Sequence, residues 1–86
     1  MQIRLVYTGR SYQKSRGLPE RIELPSEAGI EDALRVVNEH LSASEPLPLT
    51  CLVTVSGEHL GTVAAHSERK LCDGDELVLI APVAGG

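Results

Sequence analysis

Apolar and polar residues alternate near the start of the chain. Residues 3–8 place Ile, Leu and Tyr at every second position, and residues 21–24 alternate again before Pro25. A period of two is typical of strands with one buried face. The stretch 9–17 between them is polar and basic, so the pattern predicts two strands joined by a loop or a wide hairpin tip.

The period lengthens in the next segment. Five apolar residues are spaced as one stripe of a helix: Ile30, Ala33, Leu34, Val37 and Leu41. Acidic residues gather near the start of this stripe, where the helix dipole favours negative charge. Either Gly29 or Ser26 is the N-cap, and the pattern does not separate them. The helix should end before Pro46, because proline cannot continue it.

The second half of the chain returns to strand patterns. Residues 50–55 are rich in β-branched side chains, and residues 56–59 supply a turn. Residues 60–65 suit a short strand or an irregular edge, and 71–75 form a turn ahead of a last strand at 76–81. This order predicts an α+β fold with one helix laid across a mixed sheet.

The last strand is apolar on both faces, since residues 77–81 read Leu-Val-Leu-Ile-Ala. A strand covered on one side should alternate. It is therefore either a central strand sheltered on both faces or a strand whose outer face is an apolar patch for a partner. With one helix available to cover the sheet, we favour the second interpretation.

Composition narrows the classes of function. The 86 residues suit one domain, and a chain with 42% hydrophobic and 23% charged residues is globular. Two tyrosines are the only aromatic residues, and the net charge is -4. Bases would find few stacking surfaces and a phosphate backbone would be repelled, so we expect no nucleic-acid partner.

The sequence shows no pattern typical of a membrane span or of a signal peptide. No run approaches the roughly 18–20 apolar residues of a membrane span, and no signal-peptide pattern is visible ahead of the first strand. We therefore expect a cytoplasmic protein with no membrane partner. In that reducing compartment Cys51, within a strand, and Cys72, beside a turn, are interpreted as unreactive thiols rather than a disulfide.

Catalytic and metal motifs are missing from the sequence. The three histidines lack the spacing of zinc ligands, and no Gly-x-Ser-x-Gly elbow frames a serine. Asp73 and Asp75 are interpreted as turn residues around Gly74. Considered alone, the chain is expected to carry no active site, no metal site and no bound cofactor.

The terminal dipeptide Gly85–Gly86 is the exception. Glycine loses the most entropy on being ordered, so two glycines after a well-patterned strand serve no purpose in folding. One interpretation is a frayed end. The other is a backbone that passes through a slot too narrow for any Cβ and presents the Gly86 carboxylate to another protein's active site.

Residues 73–86 combine a Gly-Asp-Glu turn, an apolar strand, a Pro-Val step and a terminal Gly-Gly. In these features the chain resembles the MoaD/ThiS family of ubiquitin-like sulfur carriers, and its order of strands and helix is similar to the family's. The resemblance implies a β-grasp domain over residues 1–81, with four to five strands packed on one main helix, and a flexible Gly-Gly tail at 82–86.

The resemblance also implies a chemistry that partners perform. A ubiquitin E1-like adenylyltransferase would use ATP to convert the Gly86 carboxylate to an acyl-adenylate. A persulfide-donating enzyme would then displace AMP and leave a thiocarboxylate. The large subunit of a molybdopterin-synthase-like complex would take its sulfur from that group. The chain itself would be a sulfur-donating subunit or cosubstrate, not an enzyme on its own.

The family's tail motif carries over to Gly85 and Gly86, with Pro82, Val83 and Ala84 as its partner-binding base. One face of the last strand is expected to provide an apolar docking surface: Leu77, Leu79 and Ala81, or the alternate set Val78 and Ile80. We assign the first set to partner binding. Arg4 and the basic loop 10–16 are interpreted as solvated residues rather than docking residues.

Two other uses of the same tail stay open. Thiamine-type carriers share it, and ubiquitin-like modifiers become attached to lysines through it. Ala81-Pro82 stands where molybdopterin-type carriers commonly have Pro-Pro, and the chain has no Phe. The loop 9–17 and the long segment before Thr50 nevertheless favour the molybdopterin type, since thiamine carriers are usually shorter.

Overall fold

The computed structural model describes residues 1–9, 18–41 and 47–81. These residues form five strands and one helix: β1 (Gln2–Gly9), β2 (Arg21–Glu23), α1 (Ile30–His40), β3 (Leu52–Val55), β4 (Glu58–Thr62) and β5 (Glu76–Ala81). The order of elements is the one predicted from the sequence, and β5 has the predicted bounds.

The five strands make one mixed sheet in the order β2-β1-β5-β3-β4. β1 and β5 are parallel, with Val6 opposite Val78. The other three pairings are antiparallel. β1 and β5, the first and last of the described strands, therefore lie side by side within the sheet, with β5 at its centre. This topology, with a single described helix, confirms the predicted β-grasp fold.

The core lies between α1 and one face of the sheet. The helix contributes Ile30, Ala33, Leu34 and Val37, which are the predicted stripe apart from its last member. That member, Leu41, is half-buried and serves as the C-cap. Alternate residues of the strands complete the same buried cluster. The apolar residues that recur at every second position of the strands and those that recur at the helical period therefore pack together in one core.

Gly29 is the N-cap of α1, which decides between the two candidates from the sequence. Its amide donates to Oδ2 of Asp32 at 3.0 Å, and this hydrogen bond holds the pKa of Asp32 below its usual value. The Ile30 amide donates to the carbonyl oxygen of Arg69 at 2.9 Å. A Cβ on Gly29 would stand 3.1 Å from that same oxygen, so the close approach of the two backbones favours glycine.

The strand boundaries depart most from the sequence-based prediction at β3 and β4. β3 begins at Leu52, so Cys51 lies just before the strand rather than within it. β4 begins at Glu58, inside the predicted turn, and ends at Thr62 rather than at residue 65. The turn is shorter than expected because Ser56 and Gly57 both adopt a positive φ, 47° and 87°. A turn of two such residues is enough to reverse the direction of the chain between two antiparallel strands.

Arg69 ties the β3–β4 turn to the start of β5. Its Nη1 donates to the carbonyl oxygen of Val55 at 2.8 Å and pairs with Oε1 of Glu58 at 2.9 Å. Its Nη2 lies 3.8 Å from Oδ1 of Asp75. The same Asp75 oxygen accepts a hydrogen bond from the Ser56 hydroxyl at 2.8 Å. One guanidinium group therefore holds the position from which the central strand begins.

Asp75 should make the stability of the domain depend on pH. Burial alone would raise the pKa of this carboxyl, but hydrogen bonds from the Cys72 amide and the Ser56 hydroxyl, with the nearby Arg69 charge, hold it below its ordinary value. The folded state then binds the proton less tightly than the unfolded state. The stabilisation is present above the unfolded pKa of about 3.9 and is lost as pH falls through the folded pKa.

We therefore expect Asp75→Asn to cost about 1–3 kcal/mol of unfolding free energy at neutral pH. The variant should also lose less stability than the wild type when the pH is lowered from about 6 to about 3. Urea unfolding at several pH values measures both effects. Glu27→Gln is the control, because this carboxylate is 83% exposed and contacts Lys70 at 3.4 Å. An unchanged acid sensitivity in Asp75→Asn would contradict the prediction.

Candidate functional site

The inner face of β5 belongs to the core. Leu77 and Leu79 are 0% exposed and Ala81 is 4% exposed, because all three lie in the cluster that also holds the buried stripe of α1. A partner cannot reach them without unpacking the domain. Burial thus corrects the assignment of Leu77, Leu79 and Ala81 to partner binding.

The alternate set on β5 lies on the opposite face of the sheet. Val78 and Ile80 are half-buried, since β1 and β3 flank β5 on both sides. Among the described residues no helix covers this face. β5 is therefore a central strand, as the first interpretation of its apolar pattern has it, but its second apolar face is only partly sheltered. The use of this face as a patch for a partner stays a prediction.

Six residues on the three central strands make up what we call the outer face: Val6, Thr8, Leu52, Thr54, Val78 and Ile80. In register, Val78 lies between Val6 and Thr54, and Ile80 lies between Thr8 and Leu52. Side chains at opposed positions of adjacent strands contact each other. The outer face is therefore a continuous apolar surface edged by threonines, a composition that suits a protein contact.

The outer face adjoins the place where the tail begins. β5 ends at Ala81, and the row of Ile80 is the one nearest to that end. The residues assigned to the tail lie outside the described part of the chain: Pro82, Val83, Ala84, Gly85 and Gly86. Their roles and their flexibility stay predictions. Five residues reach at most about 16–18 Å when fully extended, which limits how far from the sheet the Gly86 carboxylate can act.

Two arginines stand beside each other at the other end of the sheet. Arg4 of β1 and Arg21 of β2 are register partners, and both are exposed. Nε of Arg4 lies 3.6 Å from Oε2 of Glu76. The sequence alone marks Arg4 as solvated and does not single out Arg21. Strand alternation places each on the exposed side of its strand, which for Arg4 is the side that also carries Val6. Only the register of β1 against β2 makes the two arginines neighbours.

The two cysteines are both free thiols. Burial raises the pKa of Cys51 to about 11, so this thiol stays protonated at neutral pH and fits the predicted unreactive thiol. Cys72 is exposed beside the turn that precedes β5. Neither cysteine contributes to the outer face.

Within residues 1–9, 18–41 and 47–81, no three His, Cys, Asp or Glu side chains are grouped so that they could hold a metal ion. A helix long and apolar enough to cross a membrane is likewise absent from those ranges.

Comparison with known proteins identifies the family. The sequence matches the model of the ThiS family over residues 5–86, a range that includes all of α1, β5 and the terminal Gly-Gly. The chain is also 29% identical over 86 residues to a molybdopterin synthase sulfur carrier subunit of Chlamydomonas reinhardtii, with 100% of each chain covered. The resemblance carried by residues 73–86 is thereby confirmed, and the chain belongs to the ThiS family.

Proposed function

We propose that this protein is a sulfur carrier whose C-terminal Gly86 carboxylate is converted to a thiocarboxylate. The observation that carries the proposal is the family match, which extends through residue 86 and so includes the Gly-Gly tail. The relative from Chlamydomonas reinhardtii is a sulfur carrier subunit of molybdopterin synthase. This supports molybdopterin formation as the pathway, with the chain as a cosubstrate that catalyses no step alone.

The tail needs activation because a carboxylate is a poor electrophile. A Gly86 carboxylate oxygen attacks the α-phosphorus of ATP in the partner's site, and pyrophosphate leaves. The terminal sulfur of a persulfide then attacks the acyl carbon, and AMP leaves. A thiol cleaves the S–S bond of the acyl disulfide so formed, which releases the thiocarboxylate. Glycines suit this route because a backbone without Cβ atoms fits a narrow channel.

The outer face supports the docking that this chemistry requires. It lies at the root of the tail, so a partner that covers it places its reactive groups within about 16–18 Å of Ala81. We assign the outer face to two partners in turn, the E1-like adenylyltransferase and the large subunit of the synthase. Sequential docking on one surface follows because both partners must receive the same tail.

Intact-mass spectrometry tests the proposal. The protein is produced with the E1-like enzyme and the persulfide donor of its own host. We expect its mass to rise by the difference between one sulfur and one oxygen atom. Deletion of Gly86 should abolish this rise. Cys72→Ser is the matched control, and it should keep the rise, because the new sulfur is on the tail and not on the exposed thiol.

Two results would overturn the proposal. The first is an unchanged mass for the full-length chain in the presence of both partners. The second is a set of larger species in which Gly86 is joined to lysines of other proteins, since that product identifies a ubiquitin-like modifier. Sulfur transfer to a thiazole precursor rather than to a pterin would keep the carrier role but change the pathway to the thiamine type.

A further inference from the structure

Arg4 and Arg21 form an unfavourable pair in the folded protein. The amide of Leu5 donates to the carbonyl oxygen of Glu20 at 2.7 Å, which places the two arginines at a non-hydrogen-bonded position of the β1–β2 ladder. Cβ atoms at such positions are about 4.5–5.5 Å apart, and like charges there repel each other. The contact between these two arginines therefore does not stabilise the folded state.

Neighbouring carboxylates neutralise the pair only in part. Glu76 lies 3.6 Å from Nε of Arg4, and the two side chains are 42% and 69% exposed, so solvent screens this contact. Among the described residues, no salt bridge joins Arg21 to a carboxylate. In a chain with a net charge of -4, these two guanidinium groups are adjacent, and only that of Arg4 has a carboxylate salt-bridge partner among the described residues. Local features that disfavour folding are expected at functional sites.

Two shallow hollows flank the pair, and both arginines line both of them. The first, of about 360 Å³, is lined by Gln2, Arg4, Arg21, Asp73 and Gly74. The second, of about 340 Å³, is lined by Arg4, Leu5, Val6, Glu20 and Arg21. Val6 belongs to the outer face, so the second hollow is continuous with the apolar docking surface. A group bound between the arginines would therefore lie against the same partner.

We propose that Arg4 and Arg21 bind an Asp or Glu side chain of the protein that docks on the outer face. The guanidinium plane matches a carboxylate through two parallel hydrogen bonds, and the partner's charge would relieve the repulsion between the two arginines. For the identity of the partner, the synthase large subunit, this inference rests on the proposed function. The arginine site itself follows from the register, the charge and the hollows.

The surroundings favour a single carboxylate over a phosphate group. Asp73 and Glu20 line the two hollows, and Glu76 contacts Arg4. These carboxylates repel a doubly charged anion more strongly than a singly charged one.

The register also gives the distance between the arginine site and the apolar part of the outer face. Arg4 pairs with Glu76 and Thr8 pairs with Ile80, so the partner's acidic group should lie about 13 Å from the row of Ile80.

The first experiment tests the arginine site without the natural partner. The ¹⁵N-labelled protein is titrated with the capped peptide acetyl-Leu-Glu-Leu-Glu-Leu-amide and with its Gln counterpart. We expect the Glu peptide to shift the amide signals of Arg4, Val6 and Arg21 with a Kd of about 1 mM, a range that leaves the complex in fast exchange. The Gln peptide should shift them at least threefold less. Equal shifts with both peptides, or stronger binding of pyrophosphate than of the Glu peptide, would overturn the inference.

The second experiment uses the large subunit of the synthase. Arg4→Gln with Arg21→Gln should weaken its binding about tenfold and reduce the loss of affinity between about 0.05 and 0.5 M salt. Arg35→Gln with Lys70→Gln is the matched control, because it removes the same charge from exposed positions outside the outer face. It should change the Kd less than twofold. Urea unfolding should show both double variants folded.

The outcomes separate the two proposals. If the wild type carries no thiocarboxylate but the Glu peptide shifts the arginine signals, the proposed function fails and the carboxylate site stands. If the thiocarboxylate forms but both double variants bind the large subunit equally, only net charge acts and the arginine site is wrong.

Discussion

Gly61→Ala should destabilise the domain by about 3 kcal/mol or more. Gly61 has a φ of 133°, a region that residues with a Cβ rarely enter. A Cβ built there would overlap the carbonyl oxygen of Ala65 and stand 3.0 Å from the Cα of His66. That carbonyl cannot move freely, because it accepts the Thr62 amide at 2.8 Å. A domain of this size has only about 4–13 kcal/mol of stability to lose.

Gly57→Ala is the matched control for this substitution. Gly57 also has a positive φ, 87°, but a Cβ there would meet nothing within 4 Å. Its replacement should cost only the backbone strain of about 1–2 kcal/mol. Equilibrium urea unfolding of both variants isolates the effect of the close approach to Ala65. Two equal losses of unfolding free energy would show that the segment 62–66 moves aside and that the contact does not constrain the fold.

Leu79→Ala should cost about 3–5 kcal/mol, whereas Ile80→Ala should cost about 1 kcal/mol. The two residues are neighbours on β5, but Leu79 is 0% exposed and Ile80 is half-buried on the outer face. Removal of the Leu79 side chain leaves a cavity under α1. Removal of the Ile80 side chain leaves a surface depression that water fills. Ile80→Ala should therefore reduce the affinity for a partner more than it reduces the free energy of unfolding.

Urea unfolding and a binding titration with the large subunit measure the two effects separately. Ile80→Ala should weaken binding at least fivefold in a protein that remains folded, because the residues whose truncation costs more than about 1 kcal/mol cluster near the centre of an interface. If Ile80→Ala destabilises the domain as much as Leu79→Ala, the outer face is part of the core. If it leaves binding unchanged, the docking surface lies elsewhere.

Local sequence patterns predict most of the helices and strands of this fold. The apolar stripe from Ile30 to Val37 predicts the helix, and Pro25 and Pro46 bound the segment that contains it. The apolar run before Pro82 predicts the bounds of β5. These features depend on neighbours within a few residues, where period and proline chemistry are decisive. The segment 60–65, predicted as a short strand or an irregular edge, overlaps β4, which begins earlier, at Glu58. The earlier start depends on a short turn with two positive φ values, which composition does not determine.

The candidate site is less predictable because it depends on pairing between distant strands. Both faces of β5 are apolar, so the period of two does not show which face α1 covers. The sequence-based assignment of partner binding therefore fell on Leu77, Leu79 and Ala81, which are buried. The outer face also needs Val6 and Leu52, which join it only through the register of three strands. Arg21 meets Arg4 for the same reason. Strand register is a property of the assembled sheet rather than of any one segment.

The placement of β5 has a consequence for biosynthesis. The ribosome makes β5 after the other four described strands, yet β5 lies at the centre of the sheet and is the only described link between the β2–β1 pair and the β3–β4 pair. A nascent chain that has not reached residue 81 holds two strand pairs with no strand between them. Contacts of such large sequence separation form late and slowly. A chain without β5 therefore has neither a continuous sheet nor an outer face, and partners that bind this surface would select chains that contain β5 over chains that lack it.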